Sequence, residues 1–157
     1  MIKPGESLPQ VAFSLRQQGQ SSNPTTAELF SGKKVVLFAV PGAFTPTCSN
    51  SHLPGYITLA DQFQAKGVDS IICLSVNDAF VMEAWGNSQN AEHIIMLADG
   101  AAEFTRAIGL DKDTGSFGGV RSQRYAMLVE DGVVKALNVE APGKFEVSDA
   151  QSMLAQL

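Results

Sequence analysis

The sequence predicts an α/β fold, a central mixed β-sheet flanked by helices, from two kinds of pattern. Residues 35–40 and 68–76 are nearly all apolar, which is typical of parallel strands buried on both faces of a sheet. The segment between them carries apolar residues at helical spacing, so together they predict a strand, helix, strand crossover. Residues 125–129 and 133–139 flank the turn Glu130-Asp131-Gly132, a hairpin signal that adds antiparallel strands.

The elements before the first apolar run are predicted to have a structural role only. Val11, Phe13 and Leu15 alternate with small residues, as in an edge strand, and residues 17–23 predict a polar hairpin or loop. Residues 25–30 predict a short capped helix that glycine ends two positions later.

The rest of the chain continues the alternation of helices and strands. Apolar spacing predicts a helix from Cys48 to near Gly67, with a kink at Pro54-Gly55 where proline interrupts the backbone hydrogen bonds. The remaining predicted elements are a helix over residues 77–89 capped by Asn77 and Asp78, with an apolar stripe of Phe80, Val81, Ala84 and Trp85, a strand at 94–98, a helix at 101–108, a surface loop at 111–119, and a terminal helix capped by Ser148 and Asp149.

Composition and charge limit the function classes. With 157 residues, 45% of them hydrophobic, the chain predicts a single domain over residues 1–157 that buries roughly 70% of its unfolded surface. The net charge of −5, without a basic cluster, argues against binding nucleic acid or an anionic membrane surface. The first ten residues lack an apolar signal core, and no stretch is long enough to cross a bilayer. We therefore expect a soluble cytoplasmic protein.

The candidate reactive residues lie in the stretch from Pro41 to Cys48. Proline cannot donate to a strand ladder, so Pro41 ends the apolar run at residues 35–40. Thr45 and Pro46 match a helix start, with threonine as the cap, which puts Cys48 in the first turn. Free N–H groups and the positive end of the helix dipole there favour a thiolate over a thiol. Cys48 is therefore the candidate nucleophile rather than a buried structural thiol.

The same residues carry a resemblance to a known family. The pattern Pro41-x3-Thr45-x2-Cys48 resembles the peroxidatic signature of peroxiredoxins. Residues 40–55, 74–80 and 135–140 resemble the type II, or "five", subgroup, and they follow the family's order along most of the chain. The resemblance implies a thioredoxin-like fold and thiol-dependent reduction of hydroperoxides with no cofactor and no metal. It also implies a tendency to form homodimers.

The resemblance further implies roles for three residues near Cys48. Thr45, besides capping the helix, donates its hydroxyl to the thiolate or orients the peroxide oxygen, and the Pro41 ring shields the thiolate from water. The family places an arginine directly before an aromatic and a small residue; Arg124 fits this position better than Arg121, which is the fallback. A guanidinium fork can hold a thiolate and a peroxide oxygen together while it stays charged.

The sequence contains no motif for a Cys-His catalytic site or for a metal or dithiol site. His52 follows Cys48 by four positions, within reach of a Cys-His pair on one helix face. No motif arranges an acid or amide partner around it, so we favour a structural hydrogen-bonding role over base catalysis. Cys48, His52 and Cys73 match no recognised zinc spacing, and the chain has no C-x-x-C dithiol.

Whether Cys73 can form a disulfide with Cys48 decides between a one-cysteine and a two-cysteine mechanism. It lies within residues 68–76, about 10 Å below the sheet edge at which Cys48 is expected, whereas a disulfide needs Cα atoms within about 7 Å. The subgroup's resolving cysteine near the carboxyl terminus is missing, because residues 140–157 contain none. We therefore expect Cys73 to be core, and glutathione with glutaredoxin, or thioredoxin, to restore Cys48. The alternative is a peroxide-sensing relay protein that uses the same cysteine to signal to a partner.

Overall fold

The centre of the computed structural model, which describes residues 1–157, is a mixed sheet of seven strands. The strands in chain order are β1 (Ser14–Gln17), β2 (Gln20–Ser22), β3 (Lys34–Ala39), β4 (Ser70–Ser75), β5 (Ile95–Ala98), β6 (Asp111–Asp113), β7 (Val120–Ser122), β8 (Tyr125–Glu130) and β9 (Val133–Val139). The large sheet has the order β2-β1-β5-β4-β3-β8-β9, and β6 pairs with β7 in a separate antiparallel ribbon.

Helices pack around this sheet. They are α1 (Thr26–Phe30), a π-helical segment (Cys48–His52) that continues into α2 (Leu53–Ala65), α3 (Ala79–Ser88), α4 (Glu103–Ala107) and α5 (Ala150–Leu154). Three begin at predicted caps: Thr25 forms a capping box with Glu28, and Asp78 and Asp149 each accept a hydrogen bond from a backbone N–H of the first turn. None of the helices combines the length and the apolarity that a bilayer crossing requires.

The strand, helix, strand crossover predicted from the two apolar runs is confirmed. Strands β3 and β4 pair in parallel, with Phe38 opposite Cys73, and α2 connects them. Strand β5 continues in parallel beyond β4, whereas β8 and β9 extend the sheet in antiparallel fashion from β3. The turn between β8 and β9 places Asp131 and Gly132 at φ values of 49° and 77°, the conformation for which a hairpin favours Asp-Gly.

The sheet separates two hydrophobic layers. Because side chains alternate along a strand, Val36 and Phe38 face one layer, and Val35 and Leu37 face the other. The first layer also contains side chains of α2, α3 and α5, and it holds both cysteines. The loop that carries Cys48 follows β3 at the carboxyl ends of the parallel strands, where α/β sheets commonly place their sites.

The packing of α3 differs from the predicted apolar stripe. Trp85 is buried as predicted, but Phe80 is 65% exposed, with the Arg16 guanidinium over its ring, and the helix buries Met82 and Gly86 beside Trp85. Gly86 explains the rotation, because a Cβ there would lie 2.7 Å from Met96 Cγ in β5. The helix therefore turns its glycine face, and not Phe80, toward the sheet.

Two segments predicted as irregular or peripheral are more ordered than expected. The surface loop predicted at residues 111–119 begins with strand β6, which pairs with β7 beyond its end, and Thr114 N donates to Gly119 O at 2.8 Å across the connection. The residues of β6 are all exposed and polar, so no apolar alternation marks this strand in the sequence. Strand β1 is not an edge strand, because β2 covers its outer side.

Candidate active site

Pro41 marks the end of the sheet and the start of the site. The last backbone hydrogen bond from this strand to its neighbour joins Val40 N to Leu74 O at 3.0 Å. Pro41 has no N–H with which to extend the ladder, so the chain leaves the sheet here, as predicted. The half-buried Pro41 ring lines a groove of about 750 Å³ that Arg124 also lines.

Thr45 lies where a helix cap was predicted, but its hydroxyl makes a different hydrogen bond. It donates to Gly42 O at 2.7 Å, across a tight turn in which Phe44 has a φ of 64°. The Thr45 carbonyl accepts from Ser49 N at 2.9 Å and so begins the helix. One hydroxyl proton cannot serve two acceptors, so Thr45 does not donate to Cys48 in this conformation. Its oxygen lone pairs can still accept a hydrogen bond from a peroxide O–H.

Cys48 lies in the first turn of the helix, which begins at Pro46. From Cys48 to His52 the backbone is π-helical. Pro54 explains the wider turn, because it has no N–H to donate and its ring would meet the carbonyl four residues earlier in a regular α-helix. The predicted kink at Pro54 therefore takes the form of a π turn that carries Cys48 at one end and His52 at the other.

Arg124 contacts both Cys48 and His52 through its guanidinium fork. Nη2 donates to Cys48 Sγ at 3.1 Å, and Nη1 donates to His52 Nδ1 at 2.8 Å. Arg124 directly precedes β8, whose pairing with β3 brings it to the end of β3 from which the Cys48 loop departs. A cation at this distance stabilises a thiolate relative to a thiol. Arg121, the alternative candidate, instead lies over the Phe117 ring, 5.1 Å from its centroid.

His52 is a fully buried, neutral ring that holds Arg124 in place. Because Nδ1 accepts from Arg124, the ring proton resides on Nε2, which donates to Ser148 O at 3.0 Å. Burial, and then the positive charge of Arg124, lowers the pKa of His52 from 6.5 to about 3. With both nitrogens engaged, His52 has no free lone pair with which to act as a base. It is a positioning residue, consistent with the structural role expected from the sequence.

A buried carboxylate fixes the loop that supplies the Ser148 carbonyl. Glu140 is 7% exposed and accepts hydrogen bonds of 2.7–3.0 Å from the backbone N–H groups of Glu146, Val147 and Ser148 and from the Ser148 hydroxyl. Burial raises the pKa of Glu140, but these hydrogen bonds outweigh burial and hold the pKa below its usual value. Glu140 N also donates to Arg124 O at 3.0 Å. Glu140 is therefore linked to Arg124 through its backbone and to Ser148 through its carboxylate.

Aromatic rings enclose the His52 and Arg124 pair. The rings of Phe38 and Phe145 each lie 4.9 Å from the His52 ring, and the Arg124 guanidinium lies 5.8 Å from the centroid of Phe145. Tyr56 stacks on Phe38 at 4.0 Å, and its hydroxyl donates to Ser148 O at 2.8 Å. Hydrogen bonds are electrostatically stronger where protein replaces water, so this enclosure stabilises the arrangement of the arginine fork.

Cys73 is a core residue of β4. It lies opposite Phe38 of β3 and Met96 of β5 and is fully buried, as predicted. Burial, and then the charge of Cys48, raises the pKa of Cys73 well above its usual value, so Cys73 stays a thiol. Both cysteines are free in this structure.

Sequence reasoning missed the supporting residues Glu140, Phe145 and Ser148. Ser148 is 96 positions from His52, and Arg124 is 72 positions from it, so no local pattern joins them. The one available signal is Glu140, which closes the stretch at residues 135–140 that resembles the family. No group of three or more His, Cys, Asp or Glu side chains is placed to hold a metal ion.

Comparisons with known proteins place the chain among close relatives. A model of the redoxin family matches residues 3–154. The chloroplastic peroxiredoxin-2E-2 of Oryza sativa subsp. japonica is 51% identical over 99% of this chain and 72% of its own length. Peroxiredoxin sll1621 of Synechocystis sp. is 48% identical over 97% of this chain and 89% of its own length. The crystal structure of reduced Prx3 from Vibrio vulnificus in complex with hydrogen peroxide is 62% identical, covers 99% of each chain and superposes with a TM-score of 0.97.

Proposed function

The chain belongs to the peroxiredoxins of the redoxin family, and on that premise we propose that it reduces hydroperoxides by a one-cysteine mechanism centred on Cys48. Membership confirms the thioredoxin-like fold and the thiol peroxidase activity expected from the sequence. The observation that carries the assignment of Cys48 is its contact with Arg124, at 3.1 Å.

In the first step the Cys48 thiolate attacks one oxygen of the hydroperoxide. The S–O bond forms as the O–O bond breaks, and the leaving oxygen departs with the bonding pair and takes up a proton, giving water or an alcohol and the Cys48 sulfenic acid. Arg124 keeps its charge throughout and stabilises negative charge as it moves from the sulfur to the leaving oxygen. Thr45 accepts a hydrogen bond from the peroxide and orients it, while the Pro41 ring shields the sulfur from water.

In the second step an external thiol restores Cys48. The thiol attacks the sulfenic sulfur, water leaves and a mixed disulfide forms; a second thiol then displaces the Cys48 thiolate and leaves as a disulfide. Two thiols are thereby oxidised for each peroxide reduced. The burial of Cys73 in the middle of the sheet supports an external partner, because pairing with Cys48 would require β4 or the helix to unfold locally. Glutathione with glutaredoxin, or thioredoxin, is the proposed reductant.

The proposal extends to the substrate, the compartment and the oligomeric state. Hydrogen peroxide is the first proposed substrate, because the relative from Vibrio vulnificus was crystallised with it, and organic hydroperoxides are the second. Two free cysteines are consistent with a reducing compartment, so we propose the cytoplasm, although the rice relative is chloroplastic by name. A homodimer is proposed from the family resemblance alone.

The test is sustained turnover of hydrogen peroxide with each reductant system, in the wild type and in Cys48→Ser and Cys73→Ser. We expect wild type and Cys73→Ser to turn over at similar rates with at least one system, and Cys48→Ser to be inactive. After one equivalent of peroxide without thiol, peptide mapping should find sulfenic acid at Cys48. Rapid formation of a Cys48 to Cys73 disulfide, with turnover lost in Cys73→Ser, would overturn the one-cysteine mechanism. A single stoichiometric oxidation that no reductant reverses would favour the peroxide-sensing alternative.

A further inference from the structure

The groove beside the reactive loop is larger than a peroxide requires. Its volume is about 750 Å³, within the range of about 300 to 1,000 Å³ typical of sites for organic molecules. It is lined by Pro41 and Thr47 of the reactive loop, by Arg124, by residues of the ribbon of β6 and β7, and by residues 140–145. A molecule bound here would lie beside Pro41 and beside Arg124, whose guanidinium contacts the sulfur of the buried Cys48.

The groove is cationic although the chain carries a net charge of −5. Glu140 is negative, but its carboxylate already accepts hydrogen bonds from backbone N–H groups and a hydroxyl of its own loop rather than from the cations of the groove. A cleft lined by one sign of charge concentrates ligands of the opposite sign. The charged side chains that line it are Lys112, Arg121, Arg124 and Lys144 against Asp111 and Glu140.

Arg121 packs against an aromatic ring and two glycines and has no carboxylate partner. Its guanidinium lies over the ring of Phe117 and against two glycines: a Cβ at Gly42 would lie 2.8 Å from Nη1, and a Cβ at Gly118 would overlap the group. The one ion pair of the protein joins other residues. A planar fork that is positioned before binding loses little entropy when it takes a carboxylate with two hydrogen bonds.

Lys112 adds a second cation at the same place. In the β6 and β7 ribbon it lies directly opposite Arg121, and both side chains line the groove. Like charges directly opposite each other in an antiparallel pair are destabilising. An anion bound between them would replace this repulsion by two attractions, so the pair is best suited to a state in which a negatively charged group occupies the groove.

We propose that Arg121 and Lys112 bind the carboxylate of a small organic reactant while its thiol or hydroperoxide group reaches Cys48. An anionic thiol reductant and an anionic hydroperoxide share this carboxylate chemistry, and the two arms of the test distinguish them. The proposal rests on the thiol peroxidase mechanism described above and adds a recognition site to it.

The test compares each acid with its ester, which lacks the carboxylate charge and adds only small alkyl groups. One arm measures the second-order rate of recycling by glutathione and by its diethyl ester. The other measures the rate of Cys48 oxidation by linoleic acid hydroperoxide and by its methyl ester. In the arm that contains the natural reactant, the wild type should favour the acid by about tenfold, equivalent to about 1.4 kcal/mol. Arg121→Gln should lose most of this preference.

Two further variants test whether the effect belongs to the groove and not to the loss of a positive charge in general. Arg106→Gln removes the same charge from an exposed arginine of α4 and should keep the full preference. Lys112→Gln changes an exposed side chain of the ribbon and should lower the preference by a smaller factor than Arg121→Gln. An acid-to-ester ratio that Arg121→Gln leaves unchanged in both arms would overturn the proposal.

A binding measurement separates this proposal from the peroxidase mechanism. S-methylglutathione and the hydroxy acid that corresponds to linoleic acid hydroperoxide cannot react, so their affinities for Cys48→Ser can be measured by calorimetry with no turnover required. Adding Arg121→Gln should weaken the binding of at least one of them about tenfold, and unchanged affinities for both would contradict the carboxylate site. Absence of turnover with every thiol, together with this loss of affinity, would overturn the peroxidase mechanism and leave the carboxylate site standing.

Discussion

Arg124 Nη2 lies 3.1 Å from Cys48 Sγ, although the two residues are 76 positions apart in the chain. The other arm of the same fork is fixed by His52, which Ser148 O and the surrounding aromatic rings hold in turn. The positive charge is therefore in position before a peroxide arrives, and little reorganisation is needed when charge moves to the leaving oxygen.

Replacing Arg124 by lysine should slow the oxidation of Cys48 by hydrogen peroxide by on the order of a hundredfold. Lysine keeps the charge but cannot place one donor on the sulfur and another on His52 Nδ1 at the same time. Stopped-flow measurement of the second-order rate checks this, with Arg121→Lys as the matched control. Equal losses in the two variants would show that the fork of Arg124 has no special role.

His52 should make the protein less stable as the pH falls below about 6.5. The unfolded chain takes up a proton at His52 near pH 6.5, whereas the folded protein does not until the pH reaches about 3, so acid favours the unfolded state between these values. Between pH 7 and pH 5.5 this amounts to a loss of about 1 kcal/mol in the free energy of unfolding. Urea unfolding at the two pH values measures it.

The control for this pH effect is the other histidine of the chain. His93 is exposed, so His93→Gln should keep the pH-dependent loss of stability, whereas His52→Gln should abolish it. The comparison stays above pH 5 because Glu140, whose pKa is lowered on folding, adds a loss of the same sign in more acidic solution. If His52→Gln retained the wild-type loss, His52 would not be a buried neutral ring.

Replacing Glu140 by glutamine should loosen the loop that positions His52. An amide has one acceptor oxygen where the carboxylate serves four donor groups, so we expect a loss of about 2 kcal/mol in stability. We also expect Cys48 oxidation to slow by roughly tenfold, because Ser148 O positions His52, and His52 in turn positions Arg124 beside Cys48. Nitrogen NMR of His52 provides a specific readout: the Nε2–H signal should shift in Glu140→Gln. It should stay unchanged in the exposed control Glu146→Gln, and an unchanged signal in both would contradict this linkage.

The reactive loop was predictable from sequence because its determinants are local. Pro41 ends the ladder and Pro46 starts the helix, and both act on their own backbone, so the position of Cys48 followed from neighbouring residues. Arg124 could be selected over Arg121 only through the family resemblance. Nothing in residue spacing distinguishes two arginines three positions apart.

The partners of His52 and the orientation of Thr45 were not predictable from sequence. His52 binds a carbonyl 96 positions away, and the Thr45 hydroxyl turns to Gly42 O because of a tight turn at Phe44. Phe80 was predicted to lie in the core but is exposed, because the close approach of Met96 to Gly86 turns another face of the helix toward the sheet. Each depends on distant packing or on backbone geometry, which periodicity and capping rules do not encode.

The most direct test of the mechanism is the rate at which hydrogen peroxide oxidises each cysteine alone. Trp85, the single tryptophan, donates to the Ser49 hydroxyl at 3.0 Å, next to Cys48, so its fluorescence should report oxidation there. We predict that Cys73→Ser, which keeps Cys48, retains the fast second-order phase of the wild type, and that Cys48→Ser reacts no faster than an ordinary free thiol. A fast phase that survives in Cys48→Ser, or one that is lost in Cys73→Ser, would contradict the assignment of Cys48 as the peroxidatic residue.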